Sequence, residues 1–209
     1  MIDINDIEFS GRNNVRKFAA LLLLPIVCGA AAVADEKKTD YYPLKSGAKW
    51  HYRVQVGGQE RKIVFHLAKI ETIDGQRLGR LETVADGRVV ASEHLTSTAK
   101  GVFRYRYNGV EVAPPLCLLK YPVKDGDSWD SAFTVGTEKA TATCRVGREE
   151  IEVPAGKFKA VTVSVTADAA NMKVSTTYWF VAGMGVVKQT ADIGGNAITL
   201  ELEKLEKGK

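Results

Sequence analysis

From Lys49 onward the apolar residues fall on alternate positions rather than on every third or fourth. Trp50, Tyr52, Val54 and Val56 share one face, and His51, Arg53 and Gln55 share the other. Ile63, Phe65 and Leu67 alternate with Val64, His66 and Ala68, and Phe103, Tyr105 and Tyr107 with Arg104 and Arg106. A period of two, carried by β-branched and aromatic residues, predicts strand. The pattern continues through 130–135, 138–146, 149–153, 158–167, 173–181, 185–192 and 197–203. Past the first 34 residues no helix of ten residues is predicted; the nearest stretch, Ala167 to Met172, reads as a loop.

Turn dipeptides punctuate the alternation: Gly57-Gly58, Asp74-Gly75, Asp86-Gly87, Lys100-Gly101 and Asn108-Gly109. Asp-Gly and Asn-Gly favour two-residue hairpins, because both central residues of the turn need positive φ. Pro154 and Gly156 mark a further turn before 158–167, and Gly183 to Gly185 break the chain after Tyr178-Trp179-Phe180. The expected fold is mainly β: a large curved antiparallel sheet, a half-barrel or an open barrel or sandwich. It has about 10–12 strands built from hairpins and little helix, and so many strands must curl, close or split.

One element occurs twice. "YPLKSGAKW" at 42–50 returns as "YPVKDGDSW" at 121–129, and the chain has only three tryptophans. Each copy precedes a predicted strand. Proline starts a strand rather than sitting inside one, glycine suits the turn, and tryptophan brings up to about 250 Å² of surface to bury. The element reads as architecture, an aromatic anchor at the mouth of a sheet, with a ligand platform on Trp50 and Trp129 as the other reading. It divides residues 35–209, expected to be a single all-β domain, into related halves of about 41–119 and 120–205.

Residues 1–34 read as a signal peptide. Arg12, Arg16 and Lys17 precede the uncharged block "FAALLLLPIVCGAAAVA" at 18–34, and Ala32-Val33-Ala34 fits a small-x-small cut. The acidic stretch ahead of that basic flank is unlike a signal and fits a translation start at Val15. Acylation at Cys28 is the less favoured alternative, because Val27 is a poor neighbour for it. The expected location is therefore exported, periplasmic or extracellular, with no transmembrane span in the mature chain.

Cleavage after Ala34 would leave 175 residues with 26 Lys plus Arg and 22 Asp plus Glu. The basic residues are scattered singly, which excludes the usual footprint of a nucleic-acid binder. Cys117 and Cys144 remain; an even pair in an exported chain permits one disulfide, and two buried thiols are the alternative.

The run Val153-Pro154-Ala155-Gly156-x-Phe158-x-x-Val161, then Tyr178-Trp179-Phe180, then Gly183-x-Gly185-x-Val187-Lys188, resembles a broad group of exported bacterial domains of unknown function with a V-P-A-G-x-F motif. The stretch from Tyr41 to Trp50 belongs to the same likeness. Some of these proteins are similar to the lipoprotein-carrier (LolA/LolB-like) half-barrels. The resemblance implies a curved antiparallel sheet wrapped around an apolar cavity, and it transfers no binding residue.

A search for chemistry assigns no catalytic, cofactor or metal-binding residue. His51, His66 and His94 have no Asp or Cys at a telling spacing, and no serine sits in a G-x-S-x-G elbow. Asp125, Asp127 and Asp130 around Gly126 lack the frame of a calcium loop. "GMGVV" is followed by strand rather than helix, so it is no dinucleotide loop. The expected function is a non-catalytic envelope or periplasmic binding protein, not an enzyme. It would hold a hydrophobic small molecule or an envelope protein on its curved sheet. Trp50, Tyr52, Phe65, Phe103, Tyr105, Trp129 and Trp179 are the candidate ligand-contacting or core-anchoring aromatics. The alternatives are a structural or protein-interaction module, and a secreted hydrolase of glycans using carboxylates such as Glu149, Glu150 or Asp192, which needs two carboxyls roughly 5–10 Å apart in a cleft.

Overall fold

A computed structural model describes residues 39–169 and 172–209. The expected signal segment, its cut after Ala34 and Cys28 lie outside the described residues. Twelve strands follow in chain order: β1 Lys49–Val56, β2 Gln59–Ile73, β3 Gln76–Ala85, β4 Arg88–Thr98, β5 Gly101–Tyr107 and β6 Val110–Lys120, then β7 Ser128–Val135, β8 Glu138–Val153, β9 Gly156–Ala169, β10 Met172–Val181, β11 Gly185–Ile193 and β12 Asn196–Glu206. Among the described residues no helix is long and apolar enough to cross a membrane.

Each strand pairs antiparallel with its neighbours in sequence, and β1 pairs with β12, so the sheet is a closed barrel. This corrects the expected half-barrel or open sheet. The β1–β12 ladder runs from Lys49↔Glu206 to Val56↔Ile198, leaving neither strand with a free edge. Two local readings also change. The expected break at 147–148 is absent, since β8 stays in register with β9 through Gly147↔Thr162 and Arg148↔Val161. The expected loop from Ala167 to Met172 belongs mostly to β9 and β10.

The hairpin signals act as their chemistry demands. Asp74, Asp86 and Asn108 have φ of 51°, 49° and 49°, and the glycine after each is also positive, which is the type I′ geometry that matches strand twist. The weakest join is between β6 and β7, which pair only at Val112↔Val135 and Ala113↔Thr134. Pro114 and Pro115 follow at once and bring no N–H to the ladder.

In such an up-and-down barrel the turns alternate between two ends. The end holding the β2–β3, β4–β5, β6–β7, β8–β9 and β10–β11 connections is plugged. The chain before β1 crosses it: Gly183 N–H donates to Asp40 O at 2.7 Å, and Gly47 N–H to Leu67 O at 2.8 Å. Tyr42 stacks on Trp50 with ring centres 5.8 Å apart and meets Phe180 edge-on at 6.4 Å. The β8–β9 hairpin folds over the same end, where Ala155 N–H donates to Leu202 O at 2.8 Å and Val153 is buried. Both copies of the repeated nonapeptide lie at this end, one before β1 and one before β7.

Candidate functional site

The opposite end holds the β1–β2, β3–β4, β5–β6, β7–β8, β9–β10 and β11–β12 turns. Every exposed large hydrophobic residue among the described residues lies here, within three positions of a turn: Val89, Val90, Tyr107, Val110, Met172 and Ile193. Side chains this apolar cost about 25 cal/mol per Å² to leave in water.

Below this lip lies a cavity of about 220 Å³. Its wall is Val112, Leu116 and Leu118 of β6, Phe133 and Val135 of β7, Val165 and Ala167 of β9, and Val174, Thr176 and Tyr178 of β10. Arg104 and Tyr107 of β5 complete it, and the exposure of Tyr107 carries the cavity to solvent at the lip. Alternation builds this wall: Val163, Val165 and Ala167 pair with Tyr178, Thr176 and Val174, so one face of two neighbouring strands is aliphatic apart from Thr176 and the Tyr178 ring.

Arg104 is the one charged side chain in the lining. Its Nε donates to Glu93 Oε2 at 2.6 Å; the two side chains are 19% and 17% exposed. The guanidinium carbon stands 5.9 Å from the centre of the Tyr107 ring. Burial works against the charge of Arg104, yet Glu93 and Tyr178 beside it hold its pKa above the ordinary value. Burial also raises the Tyr178 hydroxyl, against the lowering effect of Arg104, and raises that of Tyr42, which lies against the same pair. The cavity thus has an apolar wall and one neutralised ion pair at its inner end.

The seven aromatics singled out in the sequence do not form one site. Trp50 and Tyr52 are 1% exposed and belong to the plug, their Nε1 and hydroxyl donating to the carbonyls of Met184 and Val186. Phe65 packs on Tyr52 at 4.9 Å. Phe103 and Tyr105 line a shallow outer hollow with Pro115 and Lys100. Trp179 lies on the outer wall, donating to Glu149 at 2.8 Å beneath Lys188. Trp129 is half-buried opposite Cys144, and its buried Nε1 has no partner. Cys117 and Cys144 are free thiols, and burial pushes them up to about 11 and about 12.

The remaining candidates are scattered. Glu149 and Glu150 sit near the plugged end, Glu150 paired with Lys159, whereas Asp192 caps the β11–β12 turn at the other end by accepting from Gly195 N–H. Asp192 is therefore at the other end of the barrel from Glu149 and Glu150, which are neighbours on β8 and point to opposite faces of the strand. His94 is buried with Nε2 2.7 Å from Glu71, His51 lies 3.2 Å from Glu206, and His66 is half-buried. No group of three potential metal ligands occurs among the described residues. Arg104, Tyr178 and the apolar wall were not found from the sequence. The signal the sequence offers is Arg104 alternating with the aromatics of β5.

The fold and cavity define a twelve-stranded antiparallel barrel with one plugged and one apolar end. No protein-family model matches the chain, and no curated protein matches it. Among solved structures it is similar to a candidate lipoprotein of Parabacteroides distasonis, at 11% identity and a TM-score of 0.48, over 80% of this chain and 99% of that one. It is also similar to a candidate exported protein with a YmcC-like fold from Bacteroides fragilis, at 13% identity and a TM-score of 0.48, over 81% and 100%. The hypothetical lipoprotein YmcC of Escherichia coli is similar at 13% identity and a TM-score of 0.36, over 75% and 83%.

Proposed function

We propose that the protein is an exported, non-catalytic binding barrel that holds a hydrophobic small molecule in the cavity between β5, β6, β7, β9 and β10. The observation that carries the reading is the pairing of an apolar cavity with an apolar lip at one end, while the other end is stoppered by Tyr42, Trp50 and Phe180. A carrier needs one way in and an inner end that keeps water out. Export rests on the charge and hydropathy pattern of residues 12–34.

Isothermal titration with indane, a neutral hydrocarbon small enough for a cavity of about 220 Å³, tests it. Saturable binding is expected, and Ala167→Trp, which fills the cavity, should abolish it while the far-ultraviolet circular dichroism stays unchanged. Absence of saturable binding, or binding indifferent to Ala167→Trp, removes the carrier reading and leaves a structural or interaction module.

A further inference from the structure

The ion pair at the inner end of the cavity restricts what can enter. Arg104 presents a guanidinium to the cavity, but Glu93, bonded to its Nε, has already cancelled the charge. A guanidinium carries five N–H donors. One is committed to Glu93, and no other side-chain hydrogen bond of Arg104 occurs among the described residues. The cavity therefore offers unmatched donors without offering net positive charge. A ligand carboxylate would match the donors but leave a net negative charge in an apolar enclosure, which is costly. A plain alkane would leave the donors unmatched. A carbonyl oxygen without charge accepts the hydrogen bond and keeps the enclosure neutral.

Resting on the carrier reading above, we propose that the ligand class is an acyl compound whose buried end is an uncharged carbonyl, an ester or amide rather than a free fatty acid. Size fixes the length. An apolar cavity of about 150 Å³ takes one benzene, so the 220 Å³ here takes a proportionately longer group, on the order of nine non-hydrogen atoms by the same scaling. A longer chain would leave the cavity past Tyr107 and Val110 at the lip.

The test is isothermal titration of the purified protein at pH 8 with methyl octanoate, octanamide, sodium octanoate and nonane. The ester and the amide are expected to bind at least about tenfold more tightly than octanoate or nonane, the discrimination typical of one matched buried polar group. Glu93→Gln uncovers the charge of Arg104 and should reverse the order, making octanoate the preferred ligand. The double variant Arg104→Met with Glu93→Leu should keep nonane binding and lose the preference for the carbonyl. Octanoate equal to or tighter than the ester in the unmodified protein overturns the proposal, as does an unchanged order in Glu93→Gln. If Glu93→Gln does not fold, the double variant decides: a retained ester preference overturns the proposal and a lost one supports it. If none of the four compounds binds, the carrier reading itself falls, and the ligand class with it.

Discussion

At the scale of single residues, conformation and charge each give a sharp expectation. Gly101 opens β5 at φ of 144°, and a Cβ there would run into the carbonyl oxygen of Leu119. That neighbour is backbone of the paired strand and cannot rotate away. Gly101→Ala should cost about 2–4 kcal/mol, read from the midpoint of denaturant unfolding. Glu201 is held below the ordinary carboxylate value of 4.5, first by its hydrogen bond from Arg53 and then by Lys188. A depressed folded pKa contributes stability above the unfolded value and loses it as pH falls through the folded one. The melting temperature should therefore be flat from pH 8 to about 5 and fall below about 4.5, and Glu201→Gln should make that fall shallower. Each half-exposed pair of this kind contributes less than about 1 kcal/mol, so the slope rather than the plateau is the readout. Residue-level reading of the sequence failed most clearly on β5. Phe103, Tyr105 and Arg104 alternate as expected, but the aromatics face out and the arginine faces in. Alternation separates two faces without saying which is inside. Here a half-buried partner on β4, Glu93, reverses the usual answer, and no local pattern announces it.

At the scale of elements, most of the structure was legible because hairpins are local. Asp-Gly and Asn-Gly dictated the turns, and the strands between them followed the period of two. The exceptions have physical reasons. Gly147 looked like a break in the sequence, yet β8 runs through it because Thr162 of β9 packs where a side chain would stand. Pro114 and Pro115 hid β6, whose ladder to β5 slips at two places while that to β7 shrinks to two pairs. The β6–β7 join is the expected site of first opening, since few hydrogen bonds hold it. In native-state hydrogen exchange, the amides of β6 and β7 should exchange before those of β8 and β9, which stay paired over fourteen positions from Ala140↔Ala169 to Val153↔Gly156. Equal protection across the two hairpins would show that the side chains packed beneath the join, rather than the ladder, hold the barrel shut.

At the scale of the whole molecule, the closure was not legible. It depends on β1 meeting β12, a pairing between the two ends of the domain for which no turn residue, spacing or dipeptide exists. The two tryptophans of the repeated nonapeptide end differently: Trp50 is 1% exposed with its indole N–H satisfied, whereas Trp129 is half-buried with its Nε1 unpartnered. What the repeat could not tell is that both copies lie at one end and leave the other to carry the apolar lip. That polarity yields a contrast within one molecule. Trp50→Ala should cost about 3–5 kcal/mol, since it empties a packed plug against Tyr42 and Phe180. Val89→Lys with Val90→Lys should change stability by no more than about 0.5 kcal/mol, because both side chains already face water. The same pair should shorten retention on a hydrophobic-interaction column, which Trp50→Gln, compared while still folded in the cold, should not. Equal retention for the lip variant and the parent would mean that the six side chains cover one another, and that the two ends of the barrel differ in shape without differing in chemistry.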